Sequence, residues 1–241
     1  MNIVTKSYGI ILINNNNILI INRKNSIYYI EFIMGKYRFG DTKYLELMFK
    51  RITTDEKLKI LNNKFIDLWT ELWGDINQDK YIYYYKVGLK KFEILKKNDL
   101  LLNRLCNIKT YEETEWEFPK GRKEKNEVNI NCAIRELEEE SHIKKDEYDI
   151  INNISPIIEE YVSTNNIKYR ICYYVGIYKT DKLIDKVINN NEIKQTKWIN
   201  INECVNYIRT YNRSKLCIID ILKSIIDRYQ KDYYIINTIY E

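Results

Sequence analysis

The chain has 241 residues, of which 45% are hydrophobic and 30% are charged, and its net charge is +5. Such a chain forms one large globular domain or a domain with an insertion, and no apolar run is long enough to insert into a membrane. The five cysteines form no CxxC pair, and His142 is the only histidine. We therefore expect a reducing compartment, and neither a disulfide framework, a zinc site nor a Ser-His or Cys-His catalytic pair.

The first predicted element is a β-hairpin. Apolar, β-branched runs at residues 4–13 and 18–22 flank the asparagines 14–17, and this pattern predicts two antiparallel strands. No small-residue cleavage site follows the first run, so we interpret it as a strand and not as a signal peptide.

Helical periodicity follows the hairpin. Asp41 is a predicted N-cap, as is Thr53 or Thr54, and Gly74 is a predicted helix stop. This stretch is too long for a loop, so we predict an all-helical insertion at residues 28–110 with its own core. The segments with helical spacing span residues 44–52, 65–73 and 100–108.

Charge is unevenly distributed along the chain. Residues 80–109 contain eight Lys or Arg and two acidic residues, whereas residues 111–147 contain seven basic and twelve acidic residues. This asymmetry suggests a polyanion held near a metal site. Trp69 and Trp73 repeat at helical spacing, which favours a place in the core of the insertion over a base-stacking role.

After residue 110 the pattern is that of an α/β protein with alternating strands and helices. A turn at Pro119, Lys120 and Gly121 leads into a helix that begins near Asn126 or Asn129. The other predicted elements are strands at residues 114–118, 156–162, 168–178 and 195–199 and helices at residues 202–208 and 213–230.

The helix after Gly121 carries closely spaced glutamates. Glu136, Glu139 and Glu140 lie at i, i+3 and i+4, so they share one face and repel one another by a few tenths of a kcal/mol per pair. Hard divalent cations would relieve this repulsion, and all-oxygen coordination predicts Mg²⁺ or Mn²⁺. Glu136 and Glu140 are the first candidates for ligands, with Glu139 adjacent. Glu192 is the candidate for a further acid, as a ligand or as a general base through water.

Basic residues near these glutamates suggest how a phosphate would be held. Lys120, Arg122 and Lys123 precede the helix and could approach phosphates, although an ordinary solvated loop would look the same. Arg135 is expected to orient the neighbouring carboxylates. Glu127 is expected to lie too far along the helix to join the ligands and to play a supporting role.

The spacing Gly121-x5-Glu127-x7-Arg135-Glu136-Leu137-x-Glu139-Glu140 resembles the Nudix box. Its chance occurrence is about one in 10⁵ per chain. His142 replaces the final glycine of that pattern, whose left-handed conformation histidine tolerates less well, so the helix exit can differ. Further similarity lies at residues 116–121, 132–140 and 191–193 and at Trp198. Weaker similarity lies at residues 29–33 and 65–69 and at Met48, Phe49, Thr53 and Glu56.

The chain thus resembles Nudix hydrolases, and more narrowly the mRNA-decapping Nudix enzymes of large DNA viruses. The resemblance implies an αβα sandwich with a mixed sheet, formed by residues 1–27 and 111–241 and interrupted by an RNA-binding insertion at residues 28–110. It implies that Glu136 and Glu140 bind metal, that Glu139 lies near the reactive water and that Glu192 is an outlying catalytic glutamate. The implied reaction acts on capped mRNA in the host cytoplasm and releases 7-methylguanosine diphosphate and 5′-monophosphate RNA.

Two alternatives remain open at this point. The same residues would serve a pyrophosphohydrolase for diphosphoinositol polyphosphates or dinucleotide polyphosphates, but such small substrates do not require a basic insertion. A non-catalytic RNA-binding module would not need every carboxylate of the box. The leading hypothesis is decapping. RNA would be held by exposed aromatic residues and by five lysines of residues 80–109, which we call the basic segment: Lys86, Lys90, Lys91, Lys96 and Lys97.

Overall fold

The computed structural model describes residues 4–74, 81–163 and 167–240, so Lys80 of the basic segment lies outside the described residues. The chain divides into two compact units: a sheet unit, Met1–Arg23 with Trp116–Glu241, and an inserted unit, Lys24–Glu115. The unit limits lie four and five residues from the predicted boundaries at residues 27 and 111. None of the helices in the described part of the chain combines the length and hydropathy of a membrane span.

The sheet unit contains the strands and the inserted unit most of the helices. The strands are β1 (Val4–Asn14), β2 (Asn17–Arg23), β3 (Trp116–Glu117), β4 (Lys120–Gly121), β5 (Tyr148–Ile150), β6 (Ile157–Val162), β7 (Lys168–Tyr178) and β8 (Ile193–Asn200). The helices are α1 (Ile27–Ile33), α2 (Thr42–Arg51), α3 (Thr54–Asn62), α4 (Phe65–Trp73), α5 (Ile82–Lys96), α6 (Asp99–Cys106), α7 (Asn129–Ser141), α8 (Cys204–Tyr207) and α9 (Arg213–Tyr240), with a 3₁₀ turn at Lys145–Glu147.

The sheet is mixed. Its central pair, β1 and β7, is parallel and in register from Val4 opposite Lys168 to Ile13 opposite Ile177. The other strand pairs are antiparallel, in the order β3-β2-β1-β7-β5, with β8 beside β2, β6 beside β7 and β4 beside β1. The predicted α/β fold with a mixed sheet is therefore confirmed.

Alternation along β1 explains why helices cover both faces of the sheet. Ile11 and Ile13 point into a core that includes residues of α8 and α9. Ile10 and Leu12 point into a second core, which includes residues of α7. Because successive side chains of a strand point to opposite faces, one apolar strand supplies both cores. The result is a three-layer α/β/α arrangement in which α7 packs against one face of the sheet.

The inserted unit has its own aromatic core. Trp69 is fully buried, and Trp73 packs against it at 4.2 Å between ring centroids, which confirms their predicted place in the core. Asp41 caps α2 through the Tyr44 amide at 3.0 Å. Thr53 caps α3 in a reciprocal capping box with Glu56. These caps confirm the predicted helix starts, because each side chain accepts a hydrogen bond from an otherwise unpaired first-turn amide.

Several elements were not predicted. The helices α1 and α5 carry closely spaced aromatic residues, which weaken the signal of helical periodicity. The strand β5 is three residues long, too short for an alternating pattern to stand out. The predicted turn at residues 119–121 is wrong in part, because Lys120 and Gly121 form β4 against Gly9 and Tyr8.

Candidate active site

Helix α7, which carries three of the predicted site glutamates, packs on β1. Cys132, Ala133 and Leu137 are buried in the core shared with β1, and this contact fixes the helix. The helix starts without a side-chain cap, because Val128 occupies the N-cap and Asn129 is the first helical residue. The predicted start of the helix near Asn126 or Asn129 is therefore confirmed at Asn129.

His142 ends α7 in the geometry that a glycine would adopt. Its φ and ψ are 55° and 29°, in the left-handed region, and its amide donates to the Glu138 carbonyl at 2.8 Å. Lys186 Nζ donates to the His142 carbonyl at 3.0 Å. The helix exit is thus retained in spite of the substitution.

We predict that His142→Gly stabilises the protein by about 0.5–1 kcal/mol, because glycine adopts positive φ without the steric cost of a Cβ. Urea denaturation of the two proteins measures the difference. A lower free energy of unfolding in the glycine variant would mean that the imidazole makes a stabilising contact.

Glu140 is buried beside Lys120. Glu140 is 5% exposed, and its Oε2 accepts a hydrogen bond from the Lys120 amide at 2.8 Å. Burial raises the pKa of Glu140 to about 8, against the lowering influence of the Lys120 charge. A cation at this carboxylate would therefore relieve a substantial desolvation cost.

This raised pKa predicts a pH dependence of stability. The folded pKa lies above the unfolded value, so the contribution is complete below pH 4.5 and is lost as the pH rises towards 8. Without divalent metal, the wild type should lose stability over this range more steeply than Glu140→Gln. Urea denaturation at several pH values in a chelator measures both slopes. Equal slopes would contradict the raised pKa.

Glu117 connects this carboxylate to a buried network that sequence reasoning missed. Glu117 is 3% exposed, and its Oε1 accepts from Arg23 Nη1 at 2.8 Å and from Lys120 Nζ at 2.9 Å. Burial disfavours its charge, but Lys120 and Arg23 together hold the pKa of Glu117 well below its usual range. The Lys120 ammonium is thus committed to Glu117. The partner Arg23 ends β2, and no local pattern signals this long-range pair.

Gly121 makes room for Glu136. A Cβ at Gly121 would lie 1.9 Å from Glu136 Cδ, so any side chain there would displace the carboxylate. Burial raises the pKa of Glu136, and Arg135 opposes this effect while Glu139 and Glu192 add to it. The Glu136 carboxylate therefore leaves no room for a side chain at position 121, which explains why the pattern has a glycine there.

Arg135 joins the carboxylates to the loop before the helix. Its guanidinium pairs with both oxygens of Glu127, from Nε at 2.9 Å and from Nη2 at 3.0 Å. Nη1 donates to Glu136 at 2.8 Å and to Glu139 at 3.0 Å. Glu127 precedes the first residue of α7, so its expected position far along the helix is wrong. Arg135 is placed to orient carboxylates from both segments.

The loop before β8 brings Glu192 to the same helix end. Asn190 Nδ2 donates to the Glu139 carbonyl at 3.2 Å, and its Oδ1 accepts from the Glu192 amide at 2.9 Å. The Glu192 charge contributes to the raised pKa of Glu136. Four carboxylates, which we call the carboxylate cluster, therefore belong to one region: Glu136, Glu139, Glu140 and Glu192.

The other two predicted phosphate-binding residues, Arg122 and Lys123, are exposed. Lys123 Nζ donates to Asn129 Oδ1 at 3.1 Å, and the Arg122 carbonyl accepts from Arg135 Nη2 at 3.0 Å. Arg135 thus holds the backbone of Arg122, while the Arg122 side chain lies on the surface. Of the three predicted phosphate-binding residues, Arg122 and Lys123 are exposed, whereas Lys120 is half-buried and its ammonium is paired with Glu117.

The carboxylate cluster fits a metal by its chemistry more than by its arrangement. In residues 4–74, 81–163 and 167–240, no three His, Cys, Asp or Glu side chains converge closely enough to hold a metal ion. Arg135 instead supplies the cation at Glu136 and Glu139. The donors are all carboxylate oxygens, the type that hard divalent cations prefer. The predicted ligands stay a prediction.

The five predicted RNA-binding lysines of α5 and its end differ in environment. Lys91 Nζ donates to the carbonyl oxygens of Gly35, at 2.7 Å, and of Tyr37. Lys96 Nζ donates to the Leu61 carbonyl at 2.5 Å. Lys86, Lys90 and Lys97 are exposed. Among the aromatic residues expected to stack on bases, Tyr83 is 68% exposed, whereas Phe92 and Tyr85 pack into the core.

Comparison with known protein families agrees with the resemblance of residues 121–140 to the Nudix box. The family model described as NUDIX domain matches residues 92–217, slightly more than half of the chain. The chain belongs to the Nudix family. Nudix hydrolases generally use divalent metal ions.

Two viral relatives of this Nudix protein carry decapping names. A protein of Acanthamoeba polyphaga mimivirus, provisionally named an mRNA-decapping protein, is 32% identical over 223 residues, which cover 82% of this chain and 62% of the relative. The mRNA-decapping protein g5R of an African swine fever virus isolate is 28% identical over 169 residues, covering 66% and 65%. The chain thus spans less than two thirds of the length of these relatives.

Solved structures with similarity to this Nudix chain include two hydrolases. A Caenorhabditis elegans Ap4A hydrolase has a TM-score of 0.44 and 11% identity, with 91% of this chain and 98% of that chain covered. A Nudix hydrolase from Nitrosomonas europaea has a TM-score of 0.43 and 11% identity, with 92% and 90% covered.

Proposed function

We propose that this Nudix protein hydrolyses the 5′ cap of mRNA with the help of Mg²⁺ or Mn²⁺. The observation that carries the proposal is the set of glutamates on α7, with the Glu192 loop bonded to the same helix through Asn190, in a chain whose viral relatives bear decapping names. Hydrolysis adds water across the anhydride between the phosphate attached to the RNA and the middle phosphate. The products are 7-methylguanosine diphosphate and RNA with a 5′-monophosphate.

The carboxylate cluster would hold the metal, which would neutralise phosphate oxygens and activate water. Glu136 and Glu140 are the proposed ligands, and Glu192 completes the set from the loop before β8. Glu139 is exposed on the same face and is proposed to accept the proton of the attacking water, with Glu192 as the alternative. Arg135 keeps Glu136 and Glu139 in place through its two ion pairs.

Electrostatics divides the remaining residues into two groups. Arg122 and Lys123 are exposed at the entrance to α7 and are proposed to contact the phosphates. Glu117 is buried and paired with the half-buried Lys120, so the two are proposed to hold Glu140 through the Lys120 amide.

The proposal is tested with long RNA that carries a radioactive phosphate in its cap. Purified protein with Mn²⁺ should release labelled 7-methylguanosine diphosphate, and the chelated reaction should not. No release at high protein concentration would overturn the proposal. Release of phosphate from a diphosphoinositol polyphosphate, without release of 7-methylguanosine diphosphate from capped RNA, would favour the small-substrate alternative.

We further propose that the inserted unit binds RNA through its exposed lysines. Lys86, Lys90 and Lys97 project from α5 and its end, and lysines neutralise RNA phosphates. Each neutral replacement should weaken RNA binding and reduce the slope of log affinity against log salt by about 0.7. Filter binding over a salt series measures this slope.

Lys91→Met is the matched comparison for the exposed lysines. The Lys91 ammonium is bonded to two carbonyl oxygens inside the unit, so the variant should lose stability. Its slope of log affinity against log salt should stay that of the wild type. An equal loss of slope in Lys91→Met and Lys90→Met would show that this division of the lysines is wrong.

A further inference from the structure

A groove lies open on the surface of the inserted unit. It is lined by residues 62–66, at the end of α3 and the start of α4, and by the side of α5 that carries Tyr85, Phe92 and Lys96. Its volume is about 680 Å³. Pockets for small ligands typically have volumes of about 300–1,000 Å³. The groove is therefore large enough to hold a nucleotide.

The floor of the groove is aromatic. The ring of Phe65 lies 5.5 Å from that of Tyr85 and 5.4 Å from that of Phe92, between centroids. Phe65 and Phe92 are buried in the core of the unit. Tyr85 and Leu89 pack on this core from outside, are half-buried and line the groove. Part of each of these two side chains is thus accessible to a flat base.

The rim of the groove carries a positive charge. Three lysines and one glutamate are among the lining residues, which gives the lining a net charge of +2: Lys64, Lys96, Lys97 and Glu93. The Lys96 ammonium lies 5.5 Å from the centre of the Phe92 ring, so a cation is held directly over the aromatic floor. Lys64 and Lys97 are exposed. A ligand with both a flat apolar part and a negative charge is therefore complementary to the groove.

One of these lysines also belongs to the exposed lysines of α5 and its end. Lys86, Lys90 and Lys97 are separated by four and seven residues, so they share one face of the helix. Lys97 is therefore common to this face and to the groove. An RNA strand whose phosphates follow the three lysines would reach the groove at Lys97. This continuity favours a nucleotide of the RNA over a separate small anion.

We propose that the groove receives one unpaired nucleotide of the RNA. The base packs on Tyr85 and Leu89, and Lys64 and Lys97 contact the neighbouring phosphates. Packing of a base on an aromatic side chain tolerates different bases, so the groove does not select a sequence. The proposal rests on the RNA-binding role proposed for the inserted unit, and not on cap hydrolysis.

Binding of uncapped RNA to the full chain tests the proposal without turnover. Fluorescence anisotropy would compare a labelled short oligouridylate with a chain of the same length and charge that has abasic residues in place of the bases. The wild type should bind the oligouridylate about tenfold more tightly, because only this chain offers a base to the floor. Ile66→Trp should lower this ratio at least fivefold, since Ile66 lines the groove and a larger side chain there would fill it.

Thr70→Trp is the matched control for the filled groove. Thr70 is exposed on the same helix but is not among the residues that line the groove, so this variant should keep the wild-type ratio. Lys64→Gln tests the rim, and it should reduce the slope of log affinity against log salt by about 0.7. Lys43→Gln removes an exposed charge from α2 and should leave the slope unchanged.

The outcomes separate the groove from the functions proposed above. An unchanged ratio in Ile66→Trp, an equal fall in Thr70→Trp, or equal slopes in Lys64→Gln and Lys43→Gln would each overturn the proposed groove. A wild type that binds neither chain would overturn the RNA-binding role of the inserted unit together with the groove. A wild type that shows the expected differences in binding but does not cleave capped RNA would overturn cap hydrolysis alone.

Discussion

Glu140→Gln is expected to lower the rate of cap hydrolysis about a thousandfold or more, because it removes a buried carboxylate from the proposed metal site. Glutamine can still accept the hydrogen bond from the Lys120 amide, so the fold should be kept. Glu139→Gln should cause a loss of about 10²–10⁴-fold if Glu139 accepts the proton of the attacking water. Single-turnover release of the labelled cap measures both losses, and RNA binding measured in parallel should be largely unchanged.

Glu138→Gln is the control within the same helix. Glu138 is exposed beside Glu139 but lies outside the face shared by Glu136, Glu139 and Glu140. Its replacement removes one negative charge from α7 and should leave the rate within about twofold. Undiminished turnover in Glu140→Gln, or an equal loss in Glu138→Gln, would contradict the assignment of the carboxylate cluster.

Lys215→Met is expected to destabilise the protein by about 3–5 kcal/mol, because it leaves the Glu159 carboxylate buried without its cation. Lys215 Nζ lies 3.3 Å from Glu159 Oε1, and the two residues are 6% and 2% exposed. Ser214 Oγ also donates to this carboxylate, at 2.7 Å, so α9 is tied to β6 at this point. Urea denaturation monitored by circular dichroism measures the loss.

A double-mutant cycle separates the ion pair from packing. Glu159→Gln combined with Lys215→Met removes both charges and should recover much of the loss. Lys168→Met is the comparison at an exposed pair, since Lys168 lies 3.6 Å from Glu160 on the surface and should contribute less than about 1 kcal/mol. If Lys215→Met cost no more than Lys168→Met, the pair would have no stabilising role.

The carboxylates of α7 could be predicted from sequence because their spacing is local. Glu136, Glu139 and Glu140 share a face whenever residues 129–141 form a helix, and the apolar residues Cys132, Ala133 and Leu137 secure that helix against β1. The same holds for the caps at Asp41 and Thr53, which depend on an amide three residues away. Local geometry is sufficient in each case.

Long-range partners could not be predicted in this way. Arg23 reaches Glu117 across 94 residues of sequence, and Lys215 reaches Glu159 across 56. Only the sheet register and the packing of α9 bring these groups together. Lys120 therefore looked like a free phosphate ligand in sequence, whereas in the structure its ammonium is paired with Glu117. Lys91 and Lys96 looked exposed for the same reason.

Glu192 lies between these two cases. Its candidacy came from its position before a predicted strand and from family resemblance, not from any spacing relative to α7. The structure brings its loop to the end of α7 through Asn190, whose side chain bonds to the Glu139 carbonyl. A contact of this kind depends on a backbone carbonyl, which leaves no trace in the sequence pattern.

The most direct test of the decapping proposal is a comparison of kcat/KM for capped RNA and for a diphosphoinositol polyphosphate under identical conditions with Mn²⁺. The wild type should favour capped RNA, release 7-methylguanosine diphosphate, and lose both activities in Glu140→Gln. Neutralising Lys86, Lys90 and Lys97 together should lower kcat/KM for RNA and leave the small substrate unaffected. A wild type that prefers the small substrate and cleaves capped RNA no faster than Glu140→Gln does would contradict the account.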